Sequence, residues 1–207
     1  MAKGLELKDV RLSLAGIVLF DLSANIAPGD VLTVMGPSGS GKSSLLAYIA
    51  GFLDRDFQAA GEMILDGIDV TNLPAEQRRI GLLFQDPMLF PHLSVLGNLL
   101  FGVPPNLADR RDRAQSALTE VGLDGFGTRD PATLSGGQKA RVALMRLLLS
   151  DPCAVLLDEP FSKLDSSLKD EIRALVFTRL KARGLPSLLV THDEADAKAA
   201  GGRVIRI

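Results

Sequence analysis

The sequence predicts an α/β fold with a mainly parallel core sheet, an N-terminal antiparallel β subdomain and an inserted helical subdomain. Two observations carry this prediction. Short, almost wholly apolar runs, VLTVM (31–35), AVLLD (154–158) and SLLVT (187–191), alternate with segments of helical character, which is typical of parallel strands covered on both faces. The N-terminal runs LELKDVRL (5–12) and IVLFDLSANI (17–26) alternate only partially between apolar and polar residues, and this pattern indicates the strands of the other subdomain.

The elements between these runs follow from local patterns. Residues 44–51 form a predicted helix, and GEMILDGIDV (61–70) predicts a hairpin or two short strands with Asp66-Gly67 at the turn. PAEQRR (74–79) predicts a short helix and IGLLF (80–84) a buried strand. The remaining predicted elements are helices at 108–121, 167–183 and 194–200 and a last strand at 203–207.

A chain of 207 residues is large enough for one domain with a substantial core. Residues 87–152 are predicted to be mostly helical, with Gly and Pro breaks, and to form the inserted helical subdomain. We therefore expect residues 1–207 to be a single domain that contains this subdomain.

The composition of the chain limits which partners it is expected to bind and where in the cell it is expected to be. The formal net charge of −2 argues against a broad basic surface, so no nucleic-acid partner is expected. A single cysteine, Cys153, excludes an internal disulfide, and the N-terminus lacks the pattern of an export signal. Both observations favour a cytoplasmic location.

One long segment contains no charged residue. PMLFPHLSVLGNLLFGVPPNLA (87–108) has the length to cross a bilayer. Its four prolines, with His92 and Asn98 between them, argue against a continuous spanning helix. Two interpretations stay open, packing in the core or an apolar docking surface for another protein.

The stretch VMGPSGSGKSS (34–44) predicts a phosphate-binding loop. Its residues fit G-x-x-x-x-G-K-[ST] after a strand and before a helix. Glycines let backbone N–H groups approach a polyphosphate, the helix start favours an anion, and the lysine and first serine suit phosphate and Mg²⁺. An ordinary glycine-rich turn is the alternative. The pattern favours a P-loop NTPase whose phosphate-binding residues are Gly36, Pro37, Ser38, Gly39, Ser40, Gly41, Lys42, Ser43 and Ser44.

Three polar side chains follow two other predicted strands. Asp158 and Glu159 end AVLLDE, where α/β sheets bind ligands. An Asp at this place holds Mg²⁺ in P-loop enzymes, and Glu159 is placed to act as general base; an acidic pair that caps the next helix is the alternative. His192 ends LLVTH, where it can donate a hydrogen bond to phosphate or to an attacking water.

LSGGQ (134–138) predicts a second anion site at a helix start. Ser135 is a plausible N-cap, and the amides of Gly136 and Gly137 open the helix KARVALMRLLL. One phosphate loop already suffices for one nucleotide. One interpretation is therefore that this helix start faces a nucleotide bound to another copy of the chain; a simple capping motif is the other.

Together these motifs resemble the ATPase subunit of ABC (ATP-binding cassette) transporters, over essentially the whole chain. GPSGSGKS resembles Walker A, LLFQDPMLFPHLSV the Q-loop region with Gln85, and LSGGQ the ABC signature. AVLLDE resembles Walker B, SKLD (162–165) the D-loop and THD the region of the switch histidine. The order of the motifs is the order in the family.

The resemblance implies ATP and Mg²⁺ as ligands and a homodimer that sandwiches two ATP molecules. Walker A of one subunit and the signature residues Ser135, Gly136, Gly137 and Gln138 of the other would contact each nucleotide. It also implies metal contacts from Ser43, Gln85 and Asp158. Glu159 would be the catalytic base, His192 would hold the γ-phosphate, and Gln85 would sense the metal and the water.

The sequence departs from the family pattern at two places. Members usually place an aromatic ring on the adenine shortly after the first strand, but VRLSLAG (10–16) has none, so Leu14 or a neighbour would take that role. Loss of ring stacking would weaken base recognition by ~1 kcal/mol. The second departure is Lys163, where the D-loop more often has a small residue.

FQDPMLFPHLSVLGNLLFG (84–102) is similar to importer ATPases for polyamines, iron, thiamine or inorganic anions. This resemblance implies membrane-spanning subunits that dock near Gln85–Leu100, a periplasmic solute-binding protein, and a peripheral location on the cytoplasmic face of the inner membrane. Because the chain stops at Ile207, no C-terminal regulatory domain is expected. An ABC ATPase for export or lipoprotein extraction and a soluble one acting on nucleic acid or ribosomes are the alternatives.

Overall fold

The computed structural model describes residues 4–37 and 39–207, with the backbone only at Ser167. Ser38, one of the predicted phosphate-binding residues, lies outside the described residues. The strands are β1 (Leu5–Leu14), β2 (Ile17–Ile26), β3 (Val31–Met35), β4 (Phe57–Leu65), β5 (Ile68–Asp69), β6 (Ile80–Leu83), β7 (Ala154–Asp158), β8 (Ser187–Thr191) and β9 (Arg203–Arg206). The α-helices are α1 (Lys42–Ala50), α2 (Val95–Gly102), α3 (Arg110–Glu120), α4 (Gly136–Leu149), α5 (Ser166–Ala182) and α6 (Glu194–Ala200).

The chain divides into two compact units. The first unit consists of the residues up to 82 together with 153–159 and 177–207. The second unit consists of residues 83–152 and 160–176. Both sheets belong to the first unit, apart from the last residue of β6, and α2, α3 and α4 belong to the second.

The first sheet is antiparallel, with strand order β2-β1-β4-β5. Leu14 pairs with Ile17 across the β1–β2 turn and with Phe57 on the other side. β4 therefore begins at Phe57, four residues before the start expected at Gly61, because pairing with the full length of β1 extends it.

The second sheet has strand order β6-β7-β8-β3-β9. The pairs β7–β8, β8–β3 and β3–β9 are parallel. In β3 and β8 every residue is buried, as expected for strands covered on both faces. Parallel pairing brings the carboxyl ends of β3, β7 and β8 to one edge of the sheet.

One apolar core joins the two sheets of the first unit to α1. Leu45, Leu46 and Ile49 of α1 are buried in it, between residues of both sheets. Packing of these side chains fixes the position of α1, and the N-terminal end of the helix follows directly after the glycine loop. The members from the sheets include Leu5, Leu7, Leu12, Met63, Val34, Leu156 and Leu188.

The second unit is built around α4, against which α2 and α3 pack. Val142, Leu144 and Met145 of α4 are buried. Of the residues that the charge-free segment contributes, 95–102 form α2 and most of the others are irregular. No helix among the described residues combines the length and the hydropathy needed to cross a membrane.

The predicted fold class is confirmed, because the structure contains a parallel and an antiparallel sheet with helices. Element boundaries shifted by a few residues in places: α1 begins at Lys42 rather than at 44, and PAEQRR forms only a 3₁₀ turn at Ala75–Gln77. The stretch 87–152 is about half helical, because its prolines and glycines interrupt the helices.

Candidate active site

The first unit places three predicted functional segments at one edge of its parallel sheet. Met35 pairs with Thr191, and Asp158 pairs with Val190. The glycine loop follows Met35, Glu159 follows Asp158 and His192 follows Thr191. Their meeting point is therefore set by the strand register, as the sequence predicted for ligands at carboxyl ends of strands.

The glycine loop ends in a helix start that is open to an anion. Gly41 has φ 86° and ψ 5°, and no side chain of the described residues caps α1 by a hydrogen bond. The first turn of α1 contains no acidic residue. A Cβ at Gly41 would lie 3.1 Å from Cε2 of Phe20, so both the backbone and the space favour glycine. The unpaired N–H groups of the helix start are available to phosphate.

Lys42 lies across this loop. Its Nζ donates to the carbonyl oxygens of Gly36 at 2.8 Å and of Pro37 at 2.7 Å, and the residue is only 5% exposed. An ammonium has three N–H donors, and these two contacts account for two of them. The ammonium is thus fixed at the mouth of the loop, where a phosphate oxygen would complete its hydrogen bonding.

Ser43 and Asp158 form a pair of hard oxygen donors. The Ser43 hydroxyl donates to Oδ1 of Asp158 at 3.3 Å. Burial raises the pKa of Asp158, and the negative charge of Glu159 raises it further. The hydrogen bond from Ser43 has the opposite, smaller effect. A divalent cation would stabilise the charged form of this desolvated carboxylate, and the adjacent hydroxyl offers it a second oxygen ligand.

Glu159 and His192 are in contact. Nδ1 of His192 lies 3.0 Å from Oε1 of Glu159. The Glu159 side chain is largely buried, and that of His192 is about half exposed. Glu159 has φ 44°, in the left-handed region, and its N–H donates to the carbonyl of Val190. The backbone strain thus coincides with the candidate base.

Two residues that the sequence analysis missed support the turn at His192. The Thr191 hydroxyl donates to Oδ2 of Asp196 at 2.9 Å and accepts from the N–H of Asp193 at 3.0 Å. Thr191 and Asp196 are almost completely buried. No local motif marks Asp196, which lies in the short helix α6, so its burial could not be predicted from the sequence.

A cavity of about 310 Å³ opens beside these residues. Met35, Gly36, Pro37 and His192 line one part of it, and the ion pair of Arg206 with Glu194 lines another. Within the first unit, the glycine loop and the switch histidine candidate therefore border the same space.

The second unit contains the other predicted helix start. Ser135 caps α4: its hydroxyl accepts from the N–H of Gln138 at 3.3 Å, and its own N–H donates to Oε1 of Gln138 at 2.9 Å. Ser135 and Gly136 are exposed, and Gly137 is buried against Leu168. The predicted N-cap is confirmed, while phosphate binding at this helix start stays a prediction.

Gln85 also lies in the second unit. It is exposed in a bend after β6, and the next residue, Asp86, accepts a hydrogen bond from the N–H of Met88 at 3.1 Å. The roles that the resemblance assigns to Gln85, at the metal and at the water, remain predictions.

The tip of the β1–β2 hairpin offers aliphatic side chains where the family usually has an aromatic ring. Leu14, Ile17 and Val18 are all exposed. Leu19, which follows them in β2, lies 3.4 Å from the Cβ position of Gly41. An apolar surface thus reaches the phosphate loop, and weak recognition of the base stays the expectation.

A strand, a glycine loop, a helix start with a lysine, and an acidic pair at the end of another parallel strand of the same sheet define a P-loop nucleoside triphosphate hydrolase. The family model of the ABC transporter matches residues 19–162. The chain belongs to the ABC transporter family, as its ATP-hydrolysing component.

Curated relatives agree with this assignment. An uncharacterised ABC transporter ATP-binding protein of Escherichia coli K12, YnjD, is 47% identical over 88% of this chain and 85% of its own length. The thiamine import ATP-binding protein ThiQ of Jannaschia is 47% identical over 90% and 82%. An Fe(3+) ions import ATP-binding protein of Rhizobium meliloti is 41% identical over 89% of this chain and 52% of its own length.

A solved structure has the same fold. It shows the ATP-binding cassette MJ0796 as a dimer in a post-hydrolysis state with ADP and phosphate. It matches with a TM-score of 0.79 and 33% identity over 98% of this chain and 94% of the other. The predictions of an ABC ATPase and of an importer-type resemblance are confirmed.

Proposed function

We propose that the chain hydrolyses ATP with Mg²⁺ to drive solute uptake through separate membrane-spanning subunits. One observation carries the proposal: the Ser43–Asp158 pair and the Glu159–His192 pair lie at the same edge of the sheet as the phosphate loop. Metal ligation, water activation and phosphate binding are thereby available side by side.

The donor set fits Mg²⁺ better than a resident metal of another kind. Ser43 and Asp158 supply oxygen ligands, and the described residues contain no group of three or more His, Cys, Asp or Glu that could hold a metal by itself. Mg²⁺ is usually held by one or two protein oxygens, with water and substrate phosphates completing its shell. When bound, it would neutralise charge on the phosphates.

Glu159 acts as the general base in this proposal. It takes a proton from water, the water oxygen bonds to the γ-phosphorus, and the bond to the bridging oxygen breaks with its electron pair leaving on ADP. His192 holds the carboxylate through Oε1, and Lys42 at the loop mouth binds the phosphates.

The start of α4 is proposed to act on the ATP of a second copy. The Ser135 hydroxyl accepts from Gln138 in the cap, and a hydroxyl that accepts one bond can still donate its own proton. The first turn of α4 contains no acidic residue. Both properties suit a γ-phosphate, and the dimeric MJ0796 structure with ADP and phosphate supports a homodimer.

The Glu159→Gln variant tests this mechanism. We expect turnover to fall by about 100-fold to 10000-fold, because the amide cannot take the proton, while MgATP still binds and an ATP-bound dimer accumulates. Steady-state hydrolysis and size-exclusion chromatography with MgATP measure the two effects. Glu62→Gln, an exposed carboxylate of β4, is the matched control; normal turnover in Glu159→Gln would remove Glu159 as base.

Uptake is proposed because the thiamine and Fe(3+) relatives are import proteins. The membrane-spanning subunits would dock near Gln85–Leu100, on the cytoplasmic face of the cell membrane, and a periplasmic solute-binding protein would deliver the solute. Which solute is carried depends on those partners.

The second unit supplies a suitable surface for docking. Phe84, Met88 and Phe101 are 39%, 58% and 67% exposed. The Phe90 ring lies 4.5 Å from that of Phe101. Exposed apolar side chains in one region mark interaction surfaces.

Two polar residues hold this surface in shape. Arg146 donates to the carbonyls of Pro87 at 3.1 Å and Met88 at 2.9 Å. The fully buried Asn98 donates to the carbonyl of Phe90 at 3.1 Å and accepts from its N–H at 2.8 Å. The loop is therefore ordered before any partner arrives, which reduces the entropy cost of docking.

A charge on this surface should uncouple transport from hydrolysis. We expect Met88→Asp to reduce uptake in vesicles that contain the full transporter, while hydrolysis by the purified chain stays within about twofold, as is usual for surface substitutions. Ile68→Asp, at an equally exposed position of the first unit, is the control. Unchanged uptake in Met88→Asp would count against docking at this surface.

A further inference from the structure

An ion pair in the second unit gives Lys163 a partner. Lys163 Nζ lies 3.3 Å from Oδ2 of Asp86, across 77 positions of sequence. Asp86 follows Gln85 directly, and Lys163 comes four residues after Glu159. The pair therefore connects the chain segment that carries Gln85 with the segment that leaves the candidate base.

Both oxygens of Asp86 are engaged. Oδ1 accepts from the N–H of Met88 and closes the turn after Gln85, while Oδ2 meets Lys163. These two hydrogen bonds, the one from Met88 first, hold the pKa of Asp86 below its usual range, and the charge of Lys139 in the first turn of α4 adds to the effect. Asp86 thus links the turn after Gln85 to Lys163.

The turn that carries Lys163 is also fixed from its other side. Phe161 is completely buried, and the N–H of Leu164 donates to its carbonyl at 3.1 Å. Leu164 lies 3.7 Å from the Cβ position of Gly136. One short turn therefore packs on the start of α4 and reaches Asp86 with its lysine.

We propose that Lys163 is a positioning residue for hydrolysis, because its ion pair with Asp86 ties the Gln85 segment to the turn after Glu159. The proposal rests on the roles given above to Gln85 and Glu159. It assigns Lys163 an effect on kcat at saturating ATP and no effect on ATP affinity, since neither member of the pair belongs to the phosphate loop.

An exposed ion pair without a role is the competing interpretation. The two side chains are 56% and 64% exposed, and many exposed pairs contribute nothing measurable. The distinction therefore needs variants that separate the charge from the local structure. Asp86→Asn keeps an oxygen for the N–H of Met88 and removes the charge, Lys163→Met keeps the length of the side chain, and Lys163→Arg keeps the charge.

A double-mutant cycle on kcat tests the proposal with the full-length purified chain. We expect Lys163→Met and Asp86→Asn each to lower kcat by about twofold to fivefold, with KM for ATP unchanged. The double variant should be no slower than the slower single one, because the two substitutions remove the same interaction. Lys163→Arg, which keeps the positive charge, should have the kcat of the parent.

Salt gives a second readout. At about 1 M KCl the screening length is about 3 Å, so the ratio of the parent kcat to that of Lys163→Met should fall towards one. The Arg113–Asp109 pair at the start of α3, with both side chains 52% exposed, supplies the control variants Arg113→Met and Asp109→Asn, which should leave kcat unchanged.

Three results would overturn the proposal: single variants within about 1.5-fold of the parent, effects that multiply in the double variant, or a loss in Lys163→Arg equal to that in Lys163→Met. Circular dichroism and thermal unfolding check that each variant is folded. Failure of the proposed catalytic roles would be seen separately, as normal turnover in Glu159→Gln.

Discussion

The two glycine-rich helix starts of this chain differ in how their backbone groups are satisfied. At α1, Gly41 takes the cap position in a left-handed conformation, and no described side chain caps the helix. At α4, Ser135 and Gln138 cap the helix reciprocally through side chain and backbone. α1 packs into the core of the first unit, and α4 into that of the second.

Because of this difference, substitutions at the two helix starts should affect ligand binding and folding stability to different extents. The start of α1 has N–H groups without a side-chain cap and a lysine beside them, and both can bind an anion. The start of α4 is already stabilised by its own side chains, by about 1 kcal/mol for the cap. Substitutions at α1 should therefore act on ligand binding, whereas those at α4 should act on both stability and activity, in proportions that depend on the residue introduced.

The largest effect is expected at α1. Lys42→Ala removes the ammonium at the mouth of the loop and should lower kcat/KM for ATP by about 100-fold to 1000-fold, as the loss of one transition-state donor does. Hydrolysis kinetics and MgATP titration measure it. Lys198→Ala, in the last turn of α6 and exposed, is the control; an equal loss there would assign the effect to net charge.

At α4, two substitutions of Ser135 should separate the cap from the phosphate contact. Ser135→Asp keeps a good cap, so the free energy of unfolding should stay within about 0.5 kcal/mol, while its charge near a γ-phosphate should lower kcat by about tenfold or more. Ser135→Ala should cost about 1 kcal/mol of stability and less than tenfold in kcat. Urea unfolding and hydrolysis assays measure both.

If Ser135→Asp retained full hydrolysis, the start of α4 would be only a capped helix end. The proposed contact with the ATP of a second copy would then be wrong. A larger loss of kcat in Ser135→Ala than in Ser135→Asp would instead show that the hydroxyl donor matters more than the added charge.

The smallest effect concerns the carboxylates beside the two helix starts, and its sign differs between them. Burial raises the pKa of Asp158, so the folded chain binds its proton more tightly than the unfolded chain does. The stability from this group is present below the ordinary carboxyl pKa and is lost as pH rises through the raised pKa. Asp86 has a lowered pKa, so its contribution is present at neutral pH and is lost on acidification.

We therefore expect Asp158→Asn to be more stable than the parent at neutral pH without nucleotide, and Asp86→Asn to be less stable. Both differences should vanish in acid, where the carboxyl groups are protonated in both states. Urea unfolding across a pH series tests this. A parent that is more stable than Asp158→Asn at neutral pH would show that contacts of the carboxylate outweigh its desolvation.

Much of the first unit could be predicted from the sequence, because its parallel strands are short, apolar and bounded by clear turns. Once β3, β7 and β8 are parallel neighbours, Asp158 and His192 must come near the glycine loop. Residues that are distant in sequence therefore form one site, because they follow the carboxyl ends of parallel strands in the same sheet.

The features that could not be predicted from the sequence depend on contacts between residues that are distant along the chain. β4 begins at Phe57 because β1 pairs with it along its length. Lys163 departs from the family pattern, and its partner Asp86 is 77 positions away in sequence, so no local pattern could predict the pair. Asp196, which holds Thr191 in the turn at His192, could not be told from an ordinary helix residue by its local sequence.

The left-handed backbone at Glu159 has a consequence for engineering. A side chain in this conformation costs roughly 1 to 2 kcal/mol, which glycine avoids. Directed evolution for heat resistance alone would therefore favour Glu159→Gly, which would also remove the proposed general base. Selection schemes for this chain need an uptake phenotype in every round.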